Sequence, residues 1–246
     1  MRKKLESFIE KQPHRHWLSF PFSLKRRWYR CRGTWVDAFG LSWFWVGEKE
    51  DIPTSWLERL QVGGIGLDIG AHRGYWTLSN RKHLPPEARI LLLEPDPENY
   101  SYLIENLRRN RFTQGLPLPI AAWHSSARLR FSRRSSDRFS ATGRIGEEGQ
   151  EVWAVSVDAL VEALALPTVS WMKIDVEGAE DAVLEGSRNT LRDMRPTLWI
   201  ETHGTQEVVE SLLNRMDYCI REKSLHTGEA HPSRERGHIW AEPANP

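Results

Sequence analysis

From residue 64 onward the chain alternates short apolar runs with segments whose apolar residues recur every three to four positions. Gly64 to Ile69 and Arg89 to Glu94 have the length and content of strands. Pro97 to Asn110 then sets Tyr100, Leu103, Ile104 and Leu107 at helical spacing, with Pro97 suited to the first turn. Further strands are expected at Leu118 to Trp123, Val169 to Val176 and Thr197 to Glu201. Helices are expected over Glu180 to Leu191, with Val183, Leu184 and Leu191 facing inward, and over Gln206 to Met216, carried by Val208, Val209, Leu212 and Leu213. Terminal strands follow near Tyr218 to Glu222 and Gly237 to Ala241. Strand and helix in alternation imply right-handed crossovers and a parallel sheet, an α/β fold.

Two regions depart from this rhythm. Arg128 to Arg133 and Val152 to Val157 alternate as exposed strands do, and the Ser/Arg/Gly-rich segment Ser135 to Gly149 between them reads as either an acceptor lid or a disordered loop. Residues 1 to 60 are basic and aromatic, with Trp17, Trp28, Trp35, Trp43, Trp45 and Trp56 among them. Short helices are expected there at Leu5 to Phe8 and Leu24 to Tyr29, and strands at Thr34 to Phe39 and Leu41 to Val46. The chain thus divides into an N-terminal extension or cap, 1–60, and a main domain, 61–246. The aromatic rings of the extension either pack on the main sheet or form a wall for a ligand.

Composition narrows the class. The 246 residues are 39% hydrophobic and 27% charged, enough apolar material for the core of an ordinary globular domain. A net charge of +1 gives no argument for nucleic acid, and the local clusters Lys25-Arg26-Arg27, Arg108-Arg109 and Arg128 to Arg134 read as solvated faces or as an anionic-substrate or membrane-surface patch. Cys31 and Cys219 support neither a disulfide framework nor a paired metal-ligand spacing. No stretch has the roughly 18 apolar residues of a membrane span, and cytoplasmic residence is the expectation.

The candidate chemistry starts at Leu67-Asp68-Ile69-Gly70-Ala71-His72-Arg73-Gly74. An apolar run ends in an acid and two glycines, and a second apolar run ends in Glu94 about 20 residues further on, the spacing at which a carboxylate meets a ribose diol. Asp68 stands before the first glycine, where it would repel a pyrophosphate but suit an ammonium group. That favours S-adenosylmethionine over a nicotinamide dinucleotide. Asp68, Gly70 and Gly74 are assigned to its methionine part, Glu94 to the ribose hydroxyls, and Ala122 or Trp123 to the neighbourhood of adenine.

A second signature, Lys173-Ile174-Asp175-Val176-Glu177-Gly178-Ala179-Glu180, resembles a motif of the FkbM family of S-adenosylmethionine-dependent methyltransferases. The glycine turn resembles another motif of that family, with His72 in place of its usual Asn. The likeness continues through Glu94-Pro95-Asp96-Pro97, Asn106 to Asn110, Val157 to Leu160, Leu184-Glu185-Gly186 and Ile200 to Gly204. It implies a Rossmann-like class I methyltransferase domain: a mostly parallel seven-stranded sheet whose last strand is antiparallel, with helices on both faces. It also implies methyl transfer to a hydroxyl of a sugar, polyketide or other small molecule. An N-methyltransferase acting on a peptide or protein side chain, and a non-catalytic cofactor-binding module, remain alternatives.

Methyl transfer to an alcohol needs two positioned reactants and removal of a proton. Groups that do this belong at the C-terminal ends of the fourth and fifth strands, where Asp175, Glu177, Glu201 and His203 stand. Glu177 and Glu180 fit helix capping equally well. His203 fits a base near neutral pH or a structural hydrogen-bonding residue. Lys173 fits neutralisation of Asp175, orientation of an acceptor, or scaffold pairing. A divalent metal such as magnesium, held by Asp175, Glu177 and Glu201, is compatible with these residue types but has no spacing signature.

Overall fold

The computed structural model of the chain describes residues 28–31, 34–37, 58, 60, 63–133, 143–226 and 236–244. The expected elements at Leu5 to Phe8 and Leu41 to Val46 lie outside these residues, as do 38–39 of the strand expected at Thr34 to Phe39.

The main sheet holds β3 (Ile65–Ile69), β4 (Arg89–Leu93), β5 (Gly115–Leu118), β10 (Trp171–Ile174), β11 (Thr197–His203), β12 (Tyr218–His226) and β13 (Arg236–Pro243). Its order is β12-β13-β11-β10-β3-β4-β5. The pairs from β11 through β5 are parallel, whereas β13 runs antiparallel to both β11 and β12. The sheet is therefore mixed. From β3 the chain builds outward to β4 and β5, then returns to place β10 on the other side of β3. That reversal opens a crevice at the C-terminal ends of β3 and β10, where open α/β sheets take ligands.

Alternate residues of the strands face opposite layers. Leu67, Ile69, Met172, Ile174, Leu198 and Ile200 join an aliphatic core with Val157, Val183, Leu191, Val209 and Leu212. These last five come from α3 (Val157–Ala163), α4 (Glu180–Glu185), α5 (Arg188–Asp193) and α6 (Gln206–Arg215). The other face carries Trp171, Trp199 and Trp240, packed with Trp76 and Leu78 of α1 (Tyr75–Asn80) and Leu103 and Leu107 of α2 (Pro97–Arg109).

Several expected boundaries move. The third strand is Gly115–Leu118, and only Ala121–Ala122 (β6) of the stretch Leu118 to Trp123 pairs further on, in a second sheet. That sheet, ordered β6-β9-β7-β8, pairs β7 (Ala127–Arg133) antiparallel with β9 (Gln150–Val155) and β8 (Gly143–Gly146). Part of the expected Ser135 to Gly149 loop is thus a strand, while 135–142 lie outside the described residues. Val157 opens a helix rather than ending a strand, with the Ser156 hydroxyl accepting from Ala159 N. Trp28 and Tyr29, expected in a helix, belong to β1 (Trp28–Cys31), which pairs with β2 (Thr34–Asp37). The helix expected over Glu180 to Leu191 breaks at Gly186-Ser187, because Asp158 accepts from the amides of Asn189 and Thr190 and caps a second short helix. Among the described residues no helix is long and apolar enough to cross a membrane.

Candidate active site

The turn after β3 is crowded. Gly70 (φ 77°) and Gly74 (φ 78°) both hold left-handed backbone, and His72 (φ 50°) joins them. A β-carbon at Gly70 would lie 1.8 Å from the carbonyl oxygen of Asp175, and one at Gly74 would lie 2.6 Å from Leu103 Cδ1. Positive φ favours glycine at both positions, and at Gly70 the backbone oxygen of Asp175 leaves no room for a β-carbon. Gly70 N and Ala71 N donate to Leu93 O at 3.0 and 2.9 Å, tying the turn to the end of β4.

Asp68 is completely buried in this layer. Its Oδ2 accepts from Thr77 Oγ1 at 2.6 Å, and Oδ1 lies 3.4 Å from Lys173 Nζ. The pairing follows from register, since Lys173 stands opposite Asp68 across the β10–β3 ladder. Lys173 Nζ also donates to Gly70 O at 3.0 Å and Asp175 Oδ2 at 3.2 Å. Of the three roles compatible with its sequence, the lysine thus performs two: it neutralises Asp175 and braces the scaffold.

Glu94 follows β4 and is 5% exposed. Its Oε2 accepts from His72 N and its Oε1 from Asp96 N, both at 2.8 Å. Burial nevertheless pushes its pKa up to about 8. Each oxygen accepts one amide hydrogen, and a carboxylate oxygen has room for two. Leu118 O accepts from Glu94 N at 3.1 Å, so the end of β5 borders this carboxyl. Ala122 packs in the aliphatic core. Trp123 is partly exposed, with its ring 5.3 Å from that of His124.

Beyond β10 and β11 a second cluster forms. Glu201 and His203 lie two residues apart on one sheet face, and Glu201 stands opposite His238 of β13. His203 Nε2 is 3.4 Å from Glu201 Oε1 and 3.9 Å from Glu177 Oε2, and Glu201 Oε2 is 3.6 Å from His238 Nε2. On the other side of the ring, His203 Nδ1 donates to Glu180 Oε1 at 3.0 Å; Glu180 also accepts from Thr205 Oγ1 at 2.6 Å and Gly178 N at 2.9 Å. Burial opposes charge on His203, but Glu180 and Glu201, then Asp175 and Glu177, outweigh it and raise its pKa to about 10. The imidazole is therefore protonated at neutral pH, which removes it as a base in this state. Burial likewise works against ionised Glu201, yet His203 and His238 hold its carboxyl well below the usual range. Asp175 is pushed upward by burial, with Lys173 opposing. Its side chain is 27% exposed, more than those of Glu177 and Glu201, at 15% and 16%.

The structure brings Asp175, Glu177, Glu201 and His203 together. The oxygen set expected for magnesium is altered, however: the grouping whose ligand atoms lie within 4.8 Å of one another is Asp175, Glu177 and His203, without Glu201. Sequence reasoning missed His238, which sits at a distant cross-strand position. It also missed Asp37. Arg73, inside the glycine turn, is fully buried; it pairs with Asp37, donates to Asn99 Oδ1 at 3.2 Å and lies 4.1 Å from the centre of the Tyr102 ring. Tyr75 Oη donates to the same aspartate. The β1–β2 hairpin is further tied to α2 by Trp28 Nε1 donating to Asn106 Oδ1 at 3.0 Å and by paired bonds between Asn110 and the Trp35 backbone.

Comparison with known proteins bears on this arrangement. The family model described as the methyltransferase FkbM domain matches residues 68–224. The hexuronic acid methyltransferase AglP of Haloferax volcanii is 28% identical over 156 residues, which are 63% of this chain and 62% of that protein. A crystal structure of a methyltransferase FkbM from Methylobacillus flagellatus KT superposes with a TM-score of 0.51 at 18% identity, covering 82% of this chain and 53% of that one. Trm5b from Pyrococcus abyssi also reaches a TM-score of 0.51, at 13% identity over 91% of this chain and 57% of its own. At these identities the structural likeness concerns the fold. The chain spans between about half and two thirds of the length of these three proteins.

Proposed function

This chain belongs to the FkbM methyltransferase family, and from that premise we propose that it uses S-adenosylmethionine to methylate a hydroxyl group of a sugar or related small molecule. The observation that carries the cofactor reading is the Glu94 carboxylate fixed against the glycine turn by the His72 amide. Each of its oxygens retains acceptor capacity suited to one hydroxyl of a ribose diol. The methionine part is assigned to the turn from Asp68 through Gly74. Because Asp68 is buried against Thr77 and Lys173, it acts by shaping that turn. The adenine is assigned to the end of β5 and the Ala122-Trp123 stretch beyond it.

When bound, S-adenosylmethionine supplies an electrophilic methyl group. The protein's own part is to align the acceptor and take its proton. We assign that proton to Asp175, whose carboxyl is raised by burial toward a more basic range and is the most exposed of the three clustered acids. Lys173 holds Asp175 in place, while protonated His203, anchored by Glu180, offers a positive donor to an acceptor oxygen. Glu201 orients His203 and His238, and Glu177 adds a further acceptor at the cleft. A carbohydrate acceptor is favoured by the hexuronic acid methyltransferase relative.

Calorimetric titration with S-adenosylmethionine, S-adenosylhomocysteine and NAD tests the cofactor. Binding of the first two but not NAD is expected, and at about pH 9, where the Glu94 carboxyl is ionised, Glu94→Ala should weaken it by roughly 1.5–3 kcal/mol, the scale of hydrogen bonds to a charged group. Labelled methyl donor offered with neutral sugars and uronic acids then tests the acceptor, and Asp175→Asn should slow transfer about 100-fold or more. NAD binding in place of the sulfonium would overturn the cofactor assignment. Undiminished turnover in Asp175→Asn would remove that residue as the base.

A further inference from the structure

His203 Nε2 is buried, in a side chain 4% exposed, and makes no hydrogen bond. It points into a group of carboxylates. Its separation of 3.9 Å from Glu177 Oε2 fits two ligands sharing one ion, since bonds of about 2.0–2.2 Å place ligand atoms at most about 4.4 Å apart. The three candidate ligand atoms, from Asp175, Glu177 and His203, already lie within 4.8 Å of one another, so small side-chain adjustments close the site.

We propose that Asp175, Glu177 and His203 form a binding site for a first-row transition-metal dication of the Mn2+ to Zn2+ series. The site lies within the cleft assigned above to methyl transfer, so its use rests on that reading; its existence does not. Three features support it. First, the far side of the ring is fixed: Nδ1 donates to Glu180, itself held by Thr205 Oγ1 and Gly178 N, which is the carboxylate–histidine arrangement that aims Nε2 at a metal. Second, carboxylates gathered at low exposure favour a cation between them, and a dication brings one more positive charge than the His203 imidazolium it would replace. Third, one imidazole nitrogen with carboxylate oxygens suits transition dications, whereas Mg2+ selects an all-oxygen shell.

Binding takes the neutral imidazole, so the Nε2 proton leaves to solvent as the metal–nitrogen bond forms. An ion there would supply Lewis acidity to an acceptor oxygen in place of the His203 imidazolium, and Asp175, once a ligand, would no longer be the group that takes the proton. The ion also fits an acceptor with a carboxylate beside its hydroxyl, because the two oxygens can share one metal.

Metal-stripped full-length protein titrated with MnCl2, with free Mn2+ followed by electron paramagnetic resonance, tests the site directly. One Mn2+ per chain is expected, displaced by ZnCl2 but not by equimolar MgCl2. Glu177→Gln and His203→Gln should each weaken uptake by about tenfold or more, the range seen when a metal's coordination or support is altered. Glu147→Gln, in an exposed loop, should leave it unchanged. Circular dichroism checks that each variant is folded, and the wild-type titration decides the matter if one is not. No uptake by wild type up to millimolar Mn2+ or Zn2+, equal uptake by the two ligand variants, or displacement by equimolar Mg2+ overturns the proposal. S-adenosylmethionine titration of the same stripped samples separates the two readings. Cofactor binding without Mn2+ uptake sinks the metal site alone, and Mn2+ uptake without cofactor binding sinks the methyl-transfer reading alone.

Discussion

Two amides reach the Glu94 carboxylate, yet burial dominates and leaves its pKa at about 8. A ribose diol donates to the ionised form, so cofactor affinity should rise with pH through about 8 and level off above it. Going from pH 9 down to pH 6 should weaken binding by up to about 100-fold, the fall in the ionised fraction. Calorimetry across that range checks this, with Glu94→Gln giving a flatter profile. Lys173→Met should destabilise the protein by about 3–5 kcal/mol, because it leaves buried Asp68 and its neighbour Asp175 without their shared cation. Urea denaturation at neutral pH measures that loss. At this scale the sequence is legible in position and weaker in state. The spacing locates Glu94 and the acids after β10 and β11, since a strand end and a two-residue period set them. His203 reads either as a base or as a hydrogen-bonding residue, and its charge is not legible because it depends on Glu180 and Glu201, which only the folded arrangement brings to opposite sides of its ring.

The elements misplaced by periodicity are the short ones. The third strand, expected at Leu118 to Trp123, lies at Gly115–Leu118; among the described residues β5 pairs only with β4, and at such an edge the missing amide of Pro117 is tolerated. The helix from Val157 to Ala163 is too short to show a repeating face, and the motif residue Asp158 serves packing: its amide donates to Gly186 O while its carboxylate caps α5. Asp158→Ala should therefore cost about 1–2 kcal/mol in denaturant melts and leave cofactor affinity unchanged. A matching loss of affinity would instead link this cap to the crevice. The β1–β2 hairpin is tied to the turn itself, because Asp37 supplies the counter-ion for Arg73 between Gly70 and Gly74. Asp37→Ala should thus lower stability and cofactor affinity together, measured by urea melts and calorimetry on the same variant.

Across the whole molecule, β4, β10, β11 and β13 each feed both cores, as Trp171 and Met172 of β10 do from adjacent positions. Neither layer can be lost alone. Tryptophan fluorescence, weighted toward the aromatic layer, and far-UV circular dichroism should report one coincident unfolding transition. Separated midpoints would show two independent units. The alternation of apolar runs makes the α/β class legible, but the antiparallel insertion of β13 between β11 and β12 is a long-range pairing that no local pattern encodes. It also sets an order of events during synthesis. When a ribosome has released the chain only through β12, the slot beside β11 is still vacant, and both strands present bare edges to other chains. His238 reaches Glu201 only when that slot is filled. β13 is thus the strand that completes the acid–imidazole cluster, and a nascent chain stalled before it has a sticky edge and an incomplete cluster.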